Sequence, residues 1–594
     1  MKTNVSRETI YHETQFCVIG GGLAGLCAAI AAARKGTKTV LVQERPVLGG
    51  NASSEVRMWV RGANGKNDKE TGIVSELDLE NIYKNPSMNF SLWDSVMYGA
   101  ALREPNLILM LNTTCIDAKA ENNRIESVTC WQMTTYTFHT IHAEVFADCS
   151  GDSILAPLVG AKWTKGREAR AEYNESIAPE QADLRTMGMS CLIQARQCDH
   201  KVPFVKPDWA YTYESDADLP HREHSLKDSG TNFWWMELGG EDDSIRDTER
   251  LREELLKIAF GIWDHMKNHG DHGADNWELD WVGFLPGKRE SRRYIGAHVL
   301  TQNDIEAGGQ FEDIAAYGGW TMDDHNPAGY RYIGSPTTHH PAPSPYGIPY
   351  RSMYSVNIEN LLFAGRNISA THSALSSTRV MATCAVIGQA VGNAAALCCR
   401  YGTTPDGVYR AHLRELQDEI LFDGCYLPGL HREVSPCMRE ARCNLSDGQQ
   451  ELLFNGLERP DKNDSVNYVS RETGESIEFA FARPTEGTVR LVLDLDYSRK
   501  SVSDDGQFQR YSMRCNVPMV LKPLKMPANL AKHLRVTAVM EDGSTKVLYE
   551  SEHNDKHLIF APTGGRITAL KAEFFGAWQS EVSNVFAFEL VERA

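Results

Sequence analysis

The chain has 594 residues and a formal net charge of −18, with hydrophobic and charged fractions of 42% and 24%. This length predicts several domains, each large enough to bury a core. The negative charge argues against non-specific binding to nucleic acid or to an anionic membrane, so we expect neither as a partner. It says nothing against a small-molecule substrate, whose site is local, and it leaves a homo-oligomer open.

The N-terminal segment, Met1 to Thr14, is polar and has no signal-peptide pattern. The apolar run from Phe16 to Ala33 is interrupted by glycines and followed by Arg34 and Lys35, which favours a buried strand, turn and helix over a membrane span. The 14 cysteines are scattered without a CxxC pair. This pattern predicts reduced thiols, no metal site and a cytoplasmic protein.

The first predicted elements form a parallel βαβ unit: strand Thr14 to Ile19, helix Leu23 to Lys35 and strand Thr39 to Gln43. Four further segments extend this domain, namely a helix at Ser91 to Arg103, a strand at Leu107 to Leu111, a hairpin formed by Cys115 to Ala120 and Arg124 to Met133, and a strand at Glu144 to Asp148.

The composition changes from about residue 166, where Trp, His, Arg and Pro become frequent and an amphipathic helix is predicted at Ser244 to Asn268. The βα pattern resumes with a strand at Leu361 to Ala364 and a helix from about Thr378 to Cys399. We therefore expect one discontinuous domain, residues 1–165 and 346–425, that holds an inserted α+β substrate domain, residues 166–345. Short β-rich segments separated by turns predict a C-terminal β-sandwich over residues 435–594.

A glycine motif, Gly20-Gly21-Gly22-Leu23-Ala24-Gly25, lies between the first strand and the first helix. Gly20 permits a tight turn, Gly22 lets the backbone approach a pyrophosphate, and Gly25 lets the helix pack closely on the strand. The helix N-terminus supplies free N–H groups and partial positive charge to phosphates. Glu44 follows the second strand, where its carboxylate can accept hydrogen bonds from ribose hydroxyls. This order predicts a dinucleotide site.

Three later motifs follow the same logic. Leu48-Gly49-Gly50-Asn51 provides a second glycine loop, which a domain that binds only NAD does not need. Asp148-Cys149-Ser150-Gly151-Asp152 follows a strand, and Asn360-Leu361-Leu362-Phe363-Ala364-Gly365-Arg366-Asn367 ends another strand in small residues. Together these motifs predict a flavin dinucleotide.

At this point the chain resembles the bacterial FAD-dependent oxidoreductase family, within the two-dinucleotide-fold flavoproteins related to glutathione reductase; fumarate reductase flavoproteins are more distant relatives. The resemblance covers about residues 14–425. It includes the segments that run from Gly287 to Arg293, from Ala364 to His372 and from Thr378 to Thr383. It implies an α/β fold with a Rossmann-type FAD-binding domain and an FAD-dependent oxidoreductase, but it does not imply a substrate.

The resemblance also implies how the cofactor is held. Fumarate reductase relatives attach FAD to a histidine in an early loop, whereas residues 51–55 here contain none, so we expect noncovalent FAD. Relatives often have Gly-Asp where this chain has Gly365-Arg366, so we expect the ribityl contact to be altered, with backbone or Asn367 as the replacement. The residues predicted to bind FAD are Gly20, Gly22, Leu23, Ala24, Gly25, Glu44, Arg45, Gly49, Gly50, Asn51, Gly151, Asp152, Gly365, Arg366, Asn367 and Thr378.

The C-terminal region resembles a discoidin-like, galactose-binding-type β-sandwich, on the segments Leu453 to Gly456 and Asn584 to Leu590. Such modules either bind glycans or only pack. A glycan-binding role therefore rests on fold analogy.

Three residues are candidates for the chemistry. Flavin redox chemistry on a C–H bond needs a group that handles the accompanying proton, and a histidine suits this near neutral pH. We rank His372 first, since its loop should reach the flavin, and His325 second, since Asp323 could orient it. Arg289 could clamp a carboxylate or sugar hydroxyls. We expect the helix that begins near Thr378 to supply its dipole to the flavin. Each histidine has a structural alternative as a hydrogen-bonded core or surface residue.

The leading functional hypothesis is hydride transfer between a small polar substrate, a carbohydrate or hydroxy acid, and flavin N5. One alternative is a flavin-assisted lyase, hydrolase or isomerase acting on a glycan without net redox change. Another is a glycan-binding protein that retains FAD as a relic, and a colourless protein with intact glycan affinity would favour it.

Overall fold

A computed structural model describes residues 7–227, 231–463, 465–504 and 513–592. Residues 1–6 of the polar N-terminal segment therefore lie outside the described residues. The chain forms two compact units. The first comprises Met1–Asn64, Asn89–Ile420 and Met513–Leu521, and the second comprises Gly65–Met88, Leu421–Ser512 and Lys522–Ala594.

A five-stranded parallel sheet organises the first unit. Its strands, in spatial order, are Leu361–Phe363, Val145–Asp148, Phe16–Ile19, Thr39–Val42 and Leu107–Met110. The strand from Phe16 to Ile19 is central and fully buried, which its unbroken apolar sequence favours. The predicted βαβ unit and the late closing strand are thereby confirmed, and the carboxyl ends of all five strands meet at one edge of the sheet.

Two helices pack closely beside this sheet, Leu23–Arg34 and Met381–Tyr401. Glycines make the approach possible: a Cβ on Gly388 would lie 2.0 Å from the carbonyl oxygen of Ala24, and one on Gly392 would lie 2.2 Å from that of Ala28. Among the described residues, only the helix Met381–Tyr401 is long and apolar enough to cross a membrane, and 94% of its most apolar window is buried. Core packing accounts for its apolar sequence.

A second sheet of the first unit contains Thr9–Glu13, Thr137–His142, Arg124–Gln132 and Thr113–Glu121, in spatial order. Its last two strands form the predicted hairpin. The other helices in this part of the chain are Phe90–Leu102, Leu155–Val159, Arg170–Tyr173, Gln302–Glu306 and His372–Thr378, and Pro405–Ala411 and Leu413–Phe422 follow the long helix.

The predicted insert has a core of its own around the amphipathic helix Thr248–Asn268. Buried Trp263, Phe233 and Trp277 belong to this core. Its strands pair in small sheets: Glu237–Leu238 with Met189–Ser190 and Gly287–Lys288, Ile193–Gln197 with Trp277–Val282, Arg292–Tyr294 with Trp163–Lys165, Ile314–Gly318 with Tyr346–Pro349, and Met322–His325 with Thr337–His340.

The second unit is a β-sandwich of two antiparallel sheets. One contains Arg442–Cys443, Ser476–Thr485, Ile567–Ala577, Ala531–Met540 and Thr545–Ser551, and the other contains Val469–Glu472, Val582–Val591, Thr488–Leu493 and Leu558–Pro562, each in spatial order. Its helices are Ile73–Lys84, Pro436–Glu440 and Asp447–Phe454.

The units differ from the predicted domain limits in three segments, of which residues 421–425, predicted to close the FAD-binding domain, group with the sandwich. The segment Gly65–Met88 groups with the sandwich although it is early in the chain, because its helix is fastened there by Ser75, which contacts Nε2 of His557 at 2.8 Å. Conversely, Met513–Leu521 groups with the first unit, where Asn516 accepts a hydrogen bond from the backbone of Ala195 at 3.0 Å.

The predicted start of the closing helix at Thr378 is wrong. Thr378 ends a separate short helix, His372–Thr378, whose N-cap Thr371 accepts a hydrogen bond from the backbone of Ala374. Val380 is extended and caps the next helix, which begins at Met381. Between them, Arg379 turns its guanidinium to Asp323.

Candidate functional site

A cavity of about 620 Å³ opens along the carboxyl edge of the parallel sheet, entirely within the first unit. Glycine loops line its middle, Glu44 and Arg45 line one end, and aromatic and charged side chains of the insert line the other. Most of the predicted FAD-binding residues line it, namely Gly20, Gly22, Leu23, Ala24, Glu44, Arg45, Gly49, Gly50, Asn51, Gly151, Asp152, Gly365 and Arg366.

Two glycine loops meet in the middle of the cavity. The backbone N–H of Gly49 donates to the carbonyl of Gly21 at 2.8 Å, and Gly22 forms an isolated parallel bridge with Gly49. Gly20 has a φ of +102°, and a Cβ there would lie 2.6 Å from the backbone of Cys149. A Cβ on Gly22 would instead meet only the Cα of Gly50, at 4.0 Å, so a side chain there would fill the cavity.

The helix Leu23–Arg34 begins at this point without a side-chain cap. The first N–H groups of a helix have no acceptor inside it, and Leu23 and Ala24 line the cavity. These amides, the helix dipole and the close approach allowed by Gly22 fit a pyrophosphate. Glu44, whose side chain is 54% exposed, lines the same cavity.

Asp152 is an anchoring carboxylate next to the glycine loops. It accepts hydrogen bonds from Lys288 at 2.9 Å, from Ser291 at 2.7 Å and from Arg366 at 2.8 Å. Burial by itself would raise the pKa of Asp152, but the charges of Arg366 and Lys288 outweigh it and lower the pKa to about 2. Asp152 is thus ionised, and Arg366 is positioned by it.

His325 and Asp323 line the cavity, and buried Glu237 contacts His325 from outside the lining; we call these three residues the cavity triad. His325 Nδ1 lies 2.6 Å from Glu237, and its Nε2 lies 3.4 Å from Asp323. Glu237 also accepts a hydrogen bond from the backbone N–H of Gly188 at 2.7 Å. Because an ionised carboxylate can only accept, the short contact places a proton on Nδ1 of His325.

Two arginines support the cavity triad. Arg289 NH1 lies 3.3 Å from Glu237 and donates to the hydroxyl of Ser190 at 2.9 Å. Arg379 NH2 donates to the side chain of Asp323 at 3.2 Å. Burial alone would raise the pKa of both carboxylates. The charges of Arg289 and His325 outweigh burial and lower the pKa of Glu237. The charges of His325 and Arg379 likewise hold the pKa of Asp323 well below its usual range.

His372 lies in a second set, which we call the inner triad: Glu290, His372 and Asp324. Its Nδ1 lies 2.9 Å from Glu290, and its Nε2 lies 3.1 Å from Asp324. Burial lowers the pKa of His372, but the two carboxylates outweigh burial and raise it to about 10. Neither ring nitrogen is available, and His372 is not among the residues that line the cavity. The structure therefore brings Arg289 and His325 to the cavity and leaves His372 behind it.

The other predicted residues that do not line the cavity have identifiable positions. Gly25 packs the first helix on its turn, since a Cβ would lie 1.8 Å from the carbonyl oxygen of Gly20. Asn367 is buried and donates to the carbonyl of Asp148 at 3.2 Å. Thr378 is buried at the end of the short helix.

Several residues that line the far end were missed in the sequence. They include Arg379, Ser190, Thr337 and Arg61. The guanidinium of Arg61 lies 5.4 Å from the ring centroids of both Trp59 and Trp320. The motif around Thr378 contained Arg379, but no local signal marked Glu237, which is 88 residues from its partner His325.

The fold and the cavity define a class of protein. The first helix begins at a glycine turn at the carboxyl edge of a parallel sheet. A second glycine loop meets this turn, and polar side chains line the rest of the cavity. These features define a flavin-dinucleotide enzyme. The chain belongs to the family of FAD dependent oxidoreductases, whose sequence model matches residues 15–420. The protein is thus an FAD-dependent oxidoreductase, as its sequence predicted.

Structural comparison finds more distant likenesses. A geranylgeranyl bacteriochlorophyll reductase-like protein from Thermoplasma acidophilum is 12% identical, with 70% of this chain and 86% of that chain covered and a TM-score of 0.31. The Escherichia coli quinol fumarate reductase FrdA is 10% identical, with 70% and 78% covered and a TM-score of 0.26. A family 32 carbohydrate-binding module from Streptococcus pneumoniae EndoD is 12% identical, with 26% and 93% covered and a TM-score of 0.18.

No curated protein sequence matches this chain. At such TM-scores the structural likenesses carry no activity over to this protein. Its chemistry is argued from the cavity itself.

Proposed function

We propose that the protein oxidises a hydroxyl-bearing carbon of a small polar substrate, a carbohydrate or hydroxy acid, by hydride transfer to FAD. The observation that carries this proposal is the cavity triad: a histidine held between two carboxylates at the end of the cavity opposite Glu44. Bound FAD supplies a two-electron acceptor for the hydride. The chain must supply the site for the hydroxyl proton.

His325 is the residue proposed to take that proton. Its Nδ1–H is committed to Glu237, so its Nε2 carries the lone pair in the neutral ring. Asp323 does not depend on His325, since it accepts from Thr337 at 2.6 Å and from Arg379 at 3.2 Å. Nε2 can therefore accept the hydroxyl proton, and the two carboxylates stabilise the imidazolium that forms. The role is therefore assigned to His325, which lines the cavity, and not to His372, which does not line it.

Substrate binding is assigned to the charged and aromatic lining. Arg61, Arg289 and Arg379 line the far end, where guanidinium groups suit carboxylates and hydroxyl oxygens. Within the described residues, the buried Nε groups of Arg379 and Trp320 have no hydrogen-bond partner. Unpaired buried donors fit a ligand rich in acceptor oxygens.

The cofactor is proposed to be held without a covalent bond. Gly20, Gly22 and Gly49 would contact the pyrophosphate, and Glu44 would accept from the adenosine ribose. The cysteines all lie in described ranges, and the structure records no disulfide among them. This supports the proposed location in the cytoplasm.

Two experiments test this proposal. Denaturation of the purified protein should release FAD, and Gly22→Val should lose it because a branched side chain would fill the pyrophosphate space. Gly448→Val is the matched control, since a Cβ at Gly448 meets no atom within 4 Å, and it should keep full flavin occupancy. Full occupancy in Gly22→Val would contradict the assigned cradle.

The second experiment mixes the holoenzyme anaerobically with a panel of sugars and hydroxy acids and follows the flavin absorbance. At least one member should bleach the flavin, and an added electron acceptor should restore its colour. Conversion of a substrate while the flavin remains oxidised, without any acceptor, would replace hydride oxidation with lyase or isomerase chemistry.

A further inference from the structure

A cluster of three histidines and one aspartate lies in the insert, away from the cavity lining. Its members are Asp216, His224, His265 and His272, whose nearest ligand atoms all lie within 4.8 Å of one another. His265 is on the helix Thr248–Asn268, and the other three are on the segments before and after it. The sequence predicted no metal site, because the four residues follow no recognisable ligand spacing.

The three imidazoles converge on one oxygen. Nε2 of His265, His224 and His272 lie 3.1, 3.3 and 3.5 Å from Oδ1 of Asp216. The ring centroids of the histidines are 4.7 to 5.0 Å apart. The histidine side chains are 0%, 11% and 8% exposed, in the same order, whereas Asp216 is 73% exposed. Three buried rings thus face a carboxylate at the surface.

The opposite nitrogens fix which atom of each ring can bind. Nδ1 of His224 contacts the carbonyl of Arg222 at 2.6 Å, and Nδ1 of His265 contacts the carbonyl of Tyr213 at 2.9 Å. A carbonyl only accepts, so both rings carry a proton on Nδ1, and in the neutral ring Nε2 bears the lone pair. Metal-binding histidines characteristically donate their second nitrogen to a carbonyl or carboxylate in this way.

A positive charge at the centre would stabilise this arrangement. Neutral rings would direct two lone pairs at the lone pairs of Asp216, which is repulsive. Three protonated rings within about 5 Å would repel one another instead. Nε2 of His272 is buried and makes no hydrogen bond within the described part of the chain, although it lies 3.5 Å from Asp216. A single cation would satisfy all four groups.

We propose that Asp216, His224, His265 and His272 bind one divalent transition-metal ion of the Zn²⁺ type in a tetrahedral, structural site. Imidazole and carboxylate ligands bind Zn²⁺ at about 2.0–2.1 Å, so two ligands of a tetrahedron are about 3.3 Å apart. The three distances to Asp216, 3.1 to 3.5 Å, match that edge. Four protein ligands close the coordination sphere, which is typical of structural zinc rather than catalytic zinc.

The bound metal would hold together several segments of the insert. His224 is bonded through its ring to the backbone of Arg222, and Arg222 donates to the carbonyls of Gly329, Tyr332 and Gly334 at 2.8 to 3.1 Å. That segment leads directly into the strand Thr337–His340, which pairs with the strand carrying Asp323 and His325. The metal therefore ties the segment around residue 216 to the helix and, through Arg222, to the strand pair at the cavity.

The test measures metal in the full-length flavoprotein, purified without a polyhistidine tag. We expect about one Zn²⁺ per chain by mass spectrometry. His272→Gln and His224→Gln should lower the metal content at least about tenfold, because each removes one ligand. His200→Gln is the matched control, since His200 lies in the insert with a side chain 71% exposed and pairs with Asp199 instead. It should keep the metal.

A second measurement does not depend on the variants folding. Wild-type protein stripped with a chelator should show a Tm that rises with each tenfold increase in free Zn²⁺, whereas Mg²⁺, which prefers oxygen ligands, should leave the Tm unchanged. The flavin spectrum reports that the cofactor domain remains folded. The proposal is overturned if wild-type protein holds no transition metal and Zn²⁺ does not raise its Tm, or if both ligand variants keep the wild-type metal content.

Discussion

The cavity triad and the inner triad are built from neighbouring residues, yet only the cavity triad has residues that line the cavity. Asp323 and Asp324 are adjacent on the strand Met322–His325, and successive side chains of a strand point to opposite faces. Asp323 therefore reaches His325 on the cavity side, while Asp324 reaches His372 on the other. The backbone N–H groups of adjacent Met187 and Gly188 likewise hold Glu290 and Glu237.

The arginines show how the two triads differ in purpose. Arg293 is fully buried, pairs with Glu290 and donates to Glu168 at 2.6 Å and to two backbone carbonyls. The charge of Glu290 is thereby compensated inside the protein. Arg289 supports Glu237 but also lines the cavity, as does Arg379 beside Asp323. The same residue types form a closed ionic core on one face and a reactive surface on the other.

The largest expected effect is on the cavity triad. His325→Gln should slow anaerobic reduction of the flavin by about 10²–10⁴-fold, because it removes the proposed proton acceptor. The flavin absorbance spectrum should change little, although the buried contact with Glu237 is also lost. Stopped-flow spectroscopy with a substrate that bleaches the flavin measures the rate. An unchanged rate would assign proton transfer to another group and would contradict the proposed difference in role between the two triads.

His372→Gln should show the opposite pattern. The substitution removes the charge of His372 from beside buried Glu290. Breaking a buried ion pair in this way lowers the free energy of unfolding by about 3–5 kcal/mol. The rate of flavin reduction in the folded fraction should stay near that of wild type. Denaturant unfolding measures the loss. A large rate loss with unchanged stability would show that the inner triad acts in the chemistry.

Arg289→Lys and Arg293→Lys form a matched pair. Lysine keeps the charge but loses the planar donor fork. Arg289→Lys should raise KM about 10–100-fold, as expected for loss of one charge-assisted hydrogen bond of about 1.5–3 kcal/mol, with a smaller change in kcat. Arg293→Lys should lower the Tm and leave KM unchanged. Equal effects on KM in both variants would contradict the assignment of Arg289 to substrate binding.

The last expected effect is a pH dependence of stability that arises from the same histidine, His372. The pKa of His372 is raised to about 10 in the folded protein, against about 6.5 in an unfolded chain. Its contribution is therefore fully present below about pH 6.5 and is lost as the pH rises through about 10. The Tm of wild-type protein should fall over this interval, and His372→Gln should fall less. Parallel curves for the two proteins would contradict the raised pKa.

The cofactor half of the site could be predicted from the sequence because its determinants are local. Gly20, Gly22 and Gly25 lie within one turn between a strand and a helix, and each has a backbone task that few other residues could perform. The βαβ unit was equally visible, since its strands and helix are continuous apolar segments. By contrast, the start of the closing helix was misplaced, because Val380 is extended and separates two helices.

The substrate half depends on contacts between distant segments. Glu237 meets His325 across 88 residues, and the ligands of the proposed metal site come from a loop, a helix and a second loop. Both His325 and His372 were candidates in the sequence, His372 for the position of its loop and His325 for its neighbour Asp323. Which of them lines the cavity follows from the strand that carries Asp323 and Asp324.

The sequence by itself determined the FAD-binding fold, the family and the β-sandwich, because strand and helix periodicity and glycine spacing are properties of short segments. Only the tertiary structure decided which histidine lines the cavity, which arginine supports it and where three further histidines converge. Those positions follow from the pairing of strands and the packing of the insert, and a residue has no local signal for a partner that the fold brings to it from far along the chain.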